Sequence, residues 1–198
     1  TNPAPTNPAP TTTAAPKAPV IDRLPVDPTT AVDLAAAKFA DTKMLAQGPL
    51  VASGDVVEGH PGAEPSILLQ FLKRDAPVVA GMAGTVVEVK TQTETCDSEV
   101  MIIPLGTDGN SATWVLGYDH VKDPKVKRGD TVAPGDVIGT PGSQSFGCDG
   151  PGRVELQINH KTPTDEVAMC PLTYFPDAAK ATAQTELRSL MTTWNGQF

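Results

Sequence analysis

Near both ends of the chain, apolar residues recur at intervals of three and four, the spacing that places side chains on one face of a helix. In residues 27–43 this apolar face consists of Val32, Ala35, Ala36 and Phe39. Asp27 suits the N-cap of that helix, and Pro28 suits its first position. In residues 176–194 the face consists of Leu187, Leu190, Met191 and Trp194. The spacing therefore predicts one helix near the start and one at the end of a folded domain.

Between the two helices, valine, isoleucine and leucine occur in short runs bounded by glycine, proline and aspartate, which is typical of β-strands. The predicted strands are 49–52, 66–71, 77–89, 99–105, 113–118 and 153–160. Gly84 indicates a corner within the third of these, and the glycine-rich residues 139–152 are predicted to form a long loop. We therefore predict a mainly β fold, an antiparallel sandwich or barrel-like sheet that is flanked by an N-terminal and a C-terminal helix.

The first 19 residues, TNPAPTNPAPTTTAAPKAP, repeat the pentapeptide TNPAP. Such a proline-rich segment favours an extended conformation and has little apolar surface to bury. The predicted organisation is a tether over 1–19, a helical extension over 20–48, the β domain over 49–175 and the C-terminal helix over 176–198. Tethers of this kind commonly separate an export signal or a lipid anchor from an envelope domain. We therefore expect an exported protein, periplasmic or at the cell surface, with a lipid anchor before the tether as one option.

The charge balance of the chain is acidic, with a net charge of −8 and an isoelectric point near 4.8. Attraction to nucleic acid or to anionic lipid is therefore disfavoured. No stretch of the sequence reaches the roughly 18 consecutive apolar residues that a membrane-spanning helix requires. We expect neither a nucleic-acid partner nor a membrane span.

The chain has three cysteines, Cys96, Cys148 and Cys170, and they contain no C-x-x-C pair. This spacing argues against a zinc knuckle or a thioredoxin-type site. An odd number of cysteines allows one disulfide and one free thiol, and the oxidising environment outside the cytoplasm favours formation of the disulfide in an exported protein. The sequence alone leaves the pairing open.

The order of segments from residue 77 onward is similar to that of a known family. The runs PVVAGMAGTVVEV, EVMIIPLG, YDHV and VKRGDTVAPGDVIGTPG are followed by the glycine-rich loop and a strand. This order resembles the lysostaphin-type (LytM-like) zinc endopeptidases over residues 49–175, and most strongly over 77–158. The resemblance implies a β fold of the duplicated hybrid motif type and an activity that cuts peptide cross-links of bacterial cell walls.

The resemblance also implies where a zinc site would lie. In that family a histidine and an aspartate of an H-x-x-x-D motif bind zinc together with the second histidine of an H-x-H motif. The first histidine of H-x-H and the histidine of a Y-x-H motif act on the water and on the oxyanion, since three ligands leave one zinc position open. His120, in the run YDH, is accordingly the candidate catalytic residue. The run RVE occupies the H-x-H position, so Arg153 stands for the base and Glu155 for a ligand.

Two interpretations of these differences remain. In the first, the metal site is lost and no cofactor binds, because Gln70 lies near the position of the aspartate and the cationic Arg153 opposes zinc binding and proton abstraction. The domain then binds cell-wall peptide or an envelope protein through a surface that we call the groove. The groove consists of Gln70, His120, Arg153 and Glu155. Arg153 favours this interpretation.

In the second interpretation, a zinc site survives with altered ligands. His60 and Glu64 have the i, i+4 spacing of H-x-x-x-D, and Glu155 completes a set of three. His120 then assists catalysis, and the protein is a zinc-dependent peptidoglycan endopeptidase.

The resemblance further implies a disulfide between Cys96, at the head of the strand 99–105, and Cys148, in the glycine-rich loop. Both residues lie at one end of the groove in such a fold. A bond between Cys148 and Cys170 is the alternative.

Overall fold

The computed structural model describes residues 17–37, 48–52, 65–143 and 148–197, and within them the chain is mainly β. The strands are β1 (Leu50–Ala52), β2 (Ile67–Leu72), β3 (Val78–Val79), β4 (Gly84–Gln92), β5 (Asp97–Pro104), β6 (Trp114–Lys122), β7 (Thr131–Val132), β8 (Val137–Ser143), β9 (Gly152–Lys161) and β10 (Glu166–Met169). The helices are α1 (Pro28–Ala31), α2 (Leu34–Ala37), a 3-10 helix (Pro171–Tyr174) and α3 (Asp177–Asn195).

These strands pair antiparallel in one large sheet. Its main path runs β1-β2-β9-β8-β6-β5-β4-β7, and β9 also pairs directly with β6. The short strands β3 and β10 pair with β8 and β9 respectively. The sheet does not close into a barrel. The predicted mainly β, antiparallel fold with a helix near each end is confirmed.

Strand β9 separates the hydrophobic core from a polar face. Val154, Leu156 and Ile158 are buried, whereas Arg153 and Glu155 are half-buried. Successive side chains of a strand point to opposite faces. The period-two pattern of the sequence therefore places Arg153 and Glu155 together on the face turned away from the core.

Helix α3 begins and ends within one residue of the predicted helix 176–194. Its Leu187, Leu190 and Trp194 are buried, as the apolar spacing indicates. Trp194 stacks on Phe71 of β2, with ring centroids 4.8 Å apart. Burial of this apolar face fixes the helix against the domain.

The helix predicted over 27–43 is interrupted. Asp27 caps α1 by accepting a hydrogen bond from the Thr29 N–H at 2.9 Å, but the helix ends after four residues. Val32 instead bridges to Leu72, and the Asp33 N–H donates to the Phe71 carbonyl oxygen at 2.6 Å. Backbone groups that a continuous helix would hydrogen-bond internally therefore pair with the end of β2. Residues 38–43 lie outside the described part of the chain.

The prediction of one long loop over 139–152 is wrong for its first part, since residues 139–143 belong to β8. Glycine is needed there for close strand packing. A Cβ at Gly139 would lie 2.7 Å from the Lys122 carbonyl oxygen, and one at Gly142 would lie 2.9 Å from that of His120. These glycines therefore mark a close backbone approach within the sheet. Residues 144–147 lie outside the described chain.

Most of the predicted tether, residues 1–16, also lies outside the described residues. The proposed domain boundaries therefore stay a prediction. None of the helices in the described ranges has the length and apolarity needed to cross a membrane.

Candidate functional site

A β-bulge between β5 and β6 positions His120. Ser98 pairs with Val121 and Val100 pairs with Tyr118, so two residues of β6 oppose one residue of β5 between these pairs. His120 lies within this bulge and has a φ of 61°, in the left-handed region that side chains other than glycine rarely adopt. Strained backbone of this kind is found disproportionately at functional sites.

The bulge brings the side chains of Asp119 and His120 together. His120 Nε2 lies 3.4 Å from Asp119 Oδ2, and the other carboxylate oxygen, Oδ1, accepts a hydrogen bond from the His120 N–H at 2.8 Å. Gln92 Nε2 donates to the same Oδ1 at 2.8 Å. The Asp119 carboxylate is therefore held with Oδ2 toward the imidazole.

A buried carboxylate holds the other side of the imidazole. His120 Nδ1 lies 3.1 Å from Asp97 Oδ2, and the Asp97 side chain is fully shielded from solvent. Thr95 donates its hydroxyl to Asp97 Oδ1 at 2.5 Å. Burial pushes the pKa of Asp97 up, but hydrogen bonds from His120 and Thr95 and the charges of His120 and Arg153 hold the pKa below its ordinary value. Asp97 is thus an anion that orients His120.

Glu155 and Arg153 approach this histidine from β9. Glu155 pairs with Asp119 across β6 and β9, and Arg153 pairs with Gly142 of β8. Burial lowers the pKa of Arg153, while the charges of Asp97, Asp119 and Glu155 act in the opposite direction. Arg153 Nε is buried and has no hydrogen-bond partner within the described chain. The charges of three carboxylates therefore act on its guanidinium, whose Nε donor is unsatisfied within the described chain.

Asp119, His120 and Glu155 form a set that we call the donor cluster. One potential ligand atom from each residue lies within 4.8 Å of the others. The site residues that the sequence predicts do not include Asp97 or Asp119. Asp119 stands inside the YDH run itself, and Asp97 directly follows Cys96, so their positions beside the predicted site residues were the available signal.

The remaining predicted groove residue, Gln70, is buried on β2, and its Nε2 donates to the Gly48 carbonyl oxygen at 3.3 Å. This hydrogen bond directs the amide toward the segment before β1. The predicted zinc ligands His60 and Glu64 lie outside the described residues. Their role stays a prediction.

A disulfide joins Cys96 to Cys148, and Cys170 lies outside this bond. The bond connects the turn that precedes Asp97 with the segment that precedes β9. Arg74 Nη1 adds a second contact to that segment by donating to the Gly150 carbonyl oxygen at 3.1 Å. The two sides of the site are thereby covalently linked.

Residues 68–165 match the model of Peptidase family M23. The chain carries an M23 peptidase-like domain. This result confirms the resemblance to the lysostaphin-type peptidases and places the domain in a family of peptidoglycan hydrolases.

Solved structures that resemble this M23 domain include peptidases from three bacteria. Lysostaphin from Staphylococcus simulans is 22% identical, with a TM-score of 0.42, over 55% of this chain and 42% of that chain. LytM from Ruminococcus gnavus is 20% identical, with a TM-score of 0.48, over 84% and 62%. A zinc-containing peptidase from Vibrio cholerae is 14% identical, with a TM-score of 0.41, over 74% and 39%. The present chain thus spans less than half of lysostaphin. No curated protein matches the chain.

M23 peptidases are typically zinc-dependent. The donor cluster offers one imidazole nitrogen and two carboxylate oxygens, and zinc accepts both types of ligand. The chemistry of these described residues therefore fits a zinc ion. Of the ligand set that the resemblance implies, Glu155 is the member within the cluster.

Proposed function

We propose that this M23 domain is a non-catalytic binding module of the cell envelope, which binds cell-wall peptide or an envelope protein through the groove. The observation that carries the proposal is Arg153, which stands where the family resemblance implies a catalytic base. It lies on the same face of β9 as Glu155 and within the field of the Asp97 and Asp119 carboxylates.

Arg153 is unsuited to the task of a base. A base must lose its proton before it can accept another, and a guanidinium keeps its proton at any pH that a protein experiences. Burial lowers the pKa of Arg153, but the surrounding carboxylates favour its charged form. His120 remains as an imidazole in the groove, and Asp97 and Asp119 hold it on both sides.

The same arginine is suited to ligand binding. Its planar guanidinium can donate several hydrogen bonds at once, and carboxylates and carbonyl oxygens accept them. Arg153 is half-buried, and none of the described side chains forms an ion pair with it within 4.0 Å, so its guanidinium is available to a ligand oxygen. Peptides supply such oxygens at every residue and at the C-terminus. This favours a peptide ligand.

The envelope location rests on the proline-rich TNPAP repeat at the start of the sequence. We infer export to the periplasm or the cell surface, with a lipid anchor as one way to hold the protein there. Fractionation of the producing cells tests this inference. Recovery of the protein in the cytosolic fraction would contradict it.

Co-sedimentation with purified peptidoglycan tests the proposed binding. We expect the wild-type protein to pellet with the polymer and to release no soluble peptide fragments, with or without added zinc. Arg153→Ala should reduce the bound fraction, whereas Arg188→Ala, at an exposed position of α3, should not. Release of fragments by the wild-type protein would overturn the non-catalytic proposal, and equal losses in the two variants would show charge attraction alone.

The position of Glu155 in the donor cluster favours one second candidate, a zinc-dependent endopeptidase with an altered ligand set. Under this candidate, His60, Glu64 and Glu155 hold the metal and His120 assists. Digestion of peptidoglycan that requires zinc and is lost in both His60→Ala and Glu155→Gln would support it. Absence of digestion at saturating zinc would end it.

A further inference from the structure

One potential ligand atom from each residue of the donor cluster lies within 4.8 Å of the other two. We propose that Asp119, His120 and Glu155 bind one divalent transition-metal cation of the zinc type. This set shares only Glu155 with the set that the family resemblance implies. The proposal goes beyond the binding of peptide and does not depend on it, because the cation needs no second ligand molecule to be retained.

His120 is prepared for metal binding through Nε2. Its Nδ1 lies 3.1 Å from Asp97 Oδ2, and Thr95 fixes the other oxygen of Asp97. When Nδ1–H donates to a carboxylate, the neutral ring presents a lone pair at Nε2. A histidine ligand whose second nitrogen donates to a carboxylate is a recurrent arrangement around protein metals, because it sets the tautomer and the direction of the ring.

Asp119 presents one carboxylate oxygen to His120 Nε2. Two donors, Gln92 Nε2 and the His120 N–H, occupy Oδ1 at 2.8 Å each, which leaves Oδ2 available. Oδ2 lies 3.4 Å from His120 Nε2, longer than the roughly 2.9 Å of an ordinary N–H···O hydrogen bond. Two ligands at about 2.1 Å from a tetrahedral zinc ion are separated by about 3.4 Å. The observed separation therefore suits a shared ion.

Glu155 supplies the third ligand from the neighbouring strand. It pairs with Asp119 across β6 and β9, and its carboxylate is within 4.8 Å of both other ligand atoms. Three protein ligands on rigid strands leave a fourth position open, as is usual for zinc sites that are not purely structural.

The electrostatics of the site also suit a cation. Asp97, Asp119 and Glu155 bring three negative charges, and Arg153 brings one positive charge. The sum is two negative charges, which one divalent cation would neutralise. Arg153 weakens the attraction of the site for a cation without reversing it, because the negative charges of Asp97 and Asp119 outweigh its positive charge. Neutralising Arg153 should therefore tighten metal binding.

Calorimetric titration of the chelator-treated protein with zinc chloride tests the site. We expect one ion per chain in the wild type and a loss of affinity of at least about tenfold in Asp119→Asn and in Glu155→Gln. Asp97→Asn should weaken binding by about 10–100-fold through loss of the oriented imidazole. Arg153→Gln should tighten it by about threefold to tenfold. His160→Asn, at the end of β9, and His60→Ala should leave the affinity unchanged.

Two results would overturn this proposal. One is a wild-type protein that binds no zinc at millimolar concentration. The other is binding that survives Asp119→Asn but is lost in His60→Ala, which would assign the ion to the set implied by the resemblance.

Circular dichroism of each variant confirms folding, and the visible spectrum of cobalt in the wild type reports nitrogen and oxygen ligands without any mutation. Co-sedimentation with peptidoglycan in chelator separates failure of the peptide proposal from failure of this one.

Discussion

The two faces of β9 differ in what determines them. On the core face, Val154, Leu156 and Ile158 are buried and contact other apolar side chains, so any apolar residue of similar volume would serve. On the opposite face, Arg153 and Glu155 depend on particular groups that β5, β6 and β8 bring to them. The core face is determined by composition and alternation, and the polar face by strand register. Stability should therefore reside on one face and binding on the other.

The largest difference between the faces should appear on truncation of adjacent residues. Leu156 is fully buried, so Leu156→Ala should lower the free energy of unfolding by about 2–5 kcal/mol through lost contacts and a residual cavity. Gln157→Ala, one residue along on the polar face, should change it by less than about 0.5 kcal/mol. Urea denaturation measures both, and similar losses in the two variants would contradict the distinction.

The disulfide connects the polar face of β9 with the start of β5, and its removal should have the next largest effect. Cys96 and Cys148 are 52 residues apart, so the bond restricts a long segment of the unfolded chain. Replacing both by serine should lower the free energy of unfolding by about 2–4 kcal/mol. Cys170→Ser, which changes the cysteine outside this disulfide, is the control. An unchanged denaturation midpoint in the double variant would show that the bond does not restrain the fold.

Asp97 should make the polar face sensitive to acid, with a smaller effect. Its pKa in the folded protein is below the ordinary value, so its ionised form stabilises the fold. That contribution is fully present above about pH 4 and is lost as the pH falls through the lower folded pKa. The wild type should therefore lose more stability between pH 5 and pH 2 than Asp97→Asn does. Asp75→Asn, at an exposed position, should follow the wild type, and parallel curves for all three proteins would disprove the assignment.

The elements that could be predicted from the sequence are those that local spacing determines. The apolar face of α3 and the alternation of β9 both follow from residues close together in the chain. Other features depend on distant partners. The helix over 27–43 is interrupted where Val32 pairs with Leu72, and β8 needs glycine at position 142 because Asp97 leaves no room for a Cβ there. Neither contact leaves a local pattern.

The residues of the site also fall into those that the sequence identifies and those that depend on distant partners. His120 and Glu155 could be identified because they stand at positions of a recognisable motif order. Asp97 could not, since its importance arises only when the bulge in β6 turns His120 toward it. The sequence position of Arg153 predicts a positive charge at the site, which would oppose the binding of a metal cation. The structure adds the charges of Asp97 and Asp119, which make the summed charge of these groups negative.

The open sheet has a consequence for the encounter of one molecule with another. Unpaired backbone donors and acceptors at a sheet edge can recruit a strand from a second chain. Within the described residues, the main path ends at β1, with three residues, and at β7, with two, and β7 pairs with β4 at Gly84 and Thr85 alone. The edge at β1 therefore presents few groups for pairing. The part of β4 beyond β7 carries the exposed charged residues Glu88 and Lys90, and charged side chains on an edge disfavour growth of the sheet from one molecule into the next. A domain of this kind can be crowded on a surface and still remain a set of separate molecules.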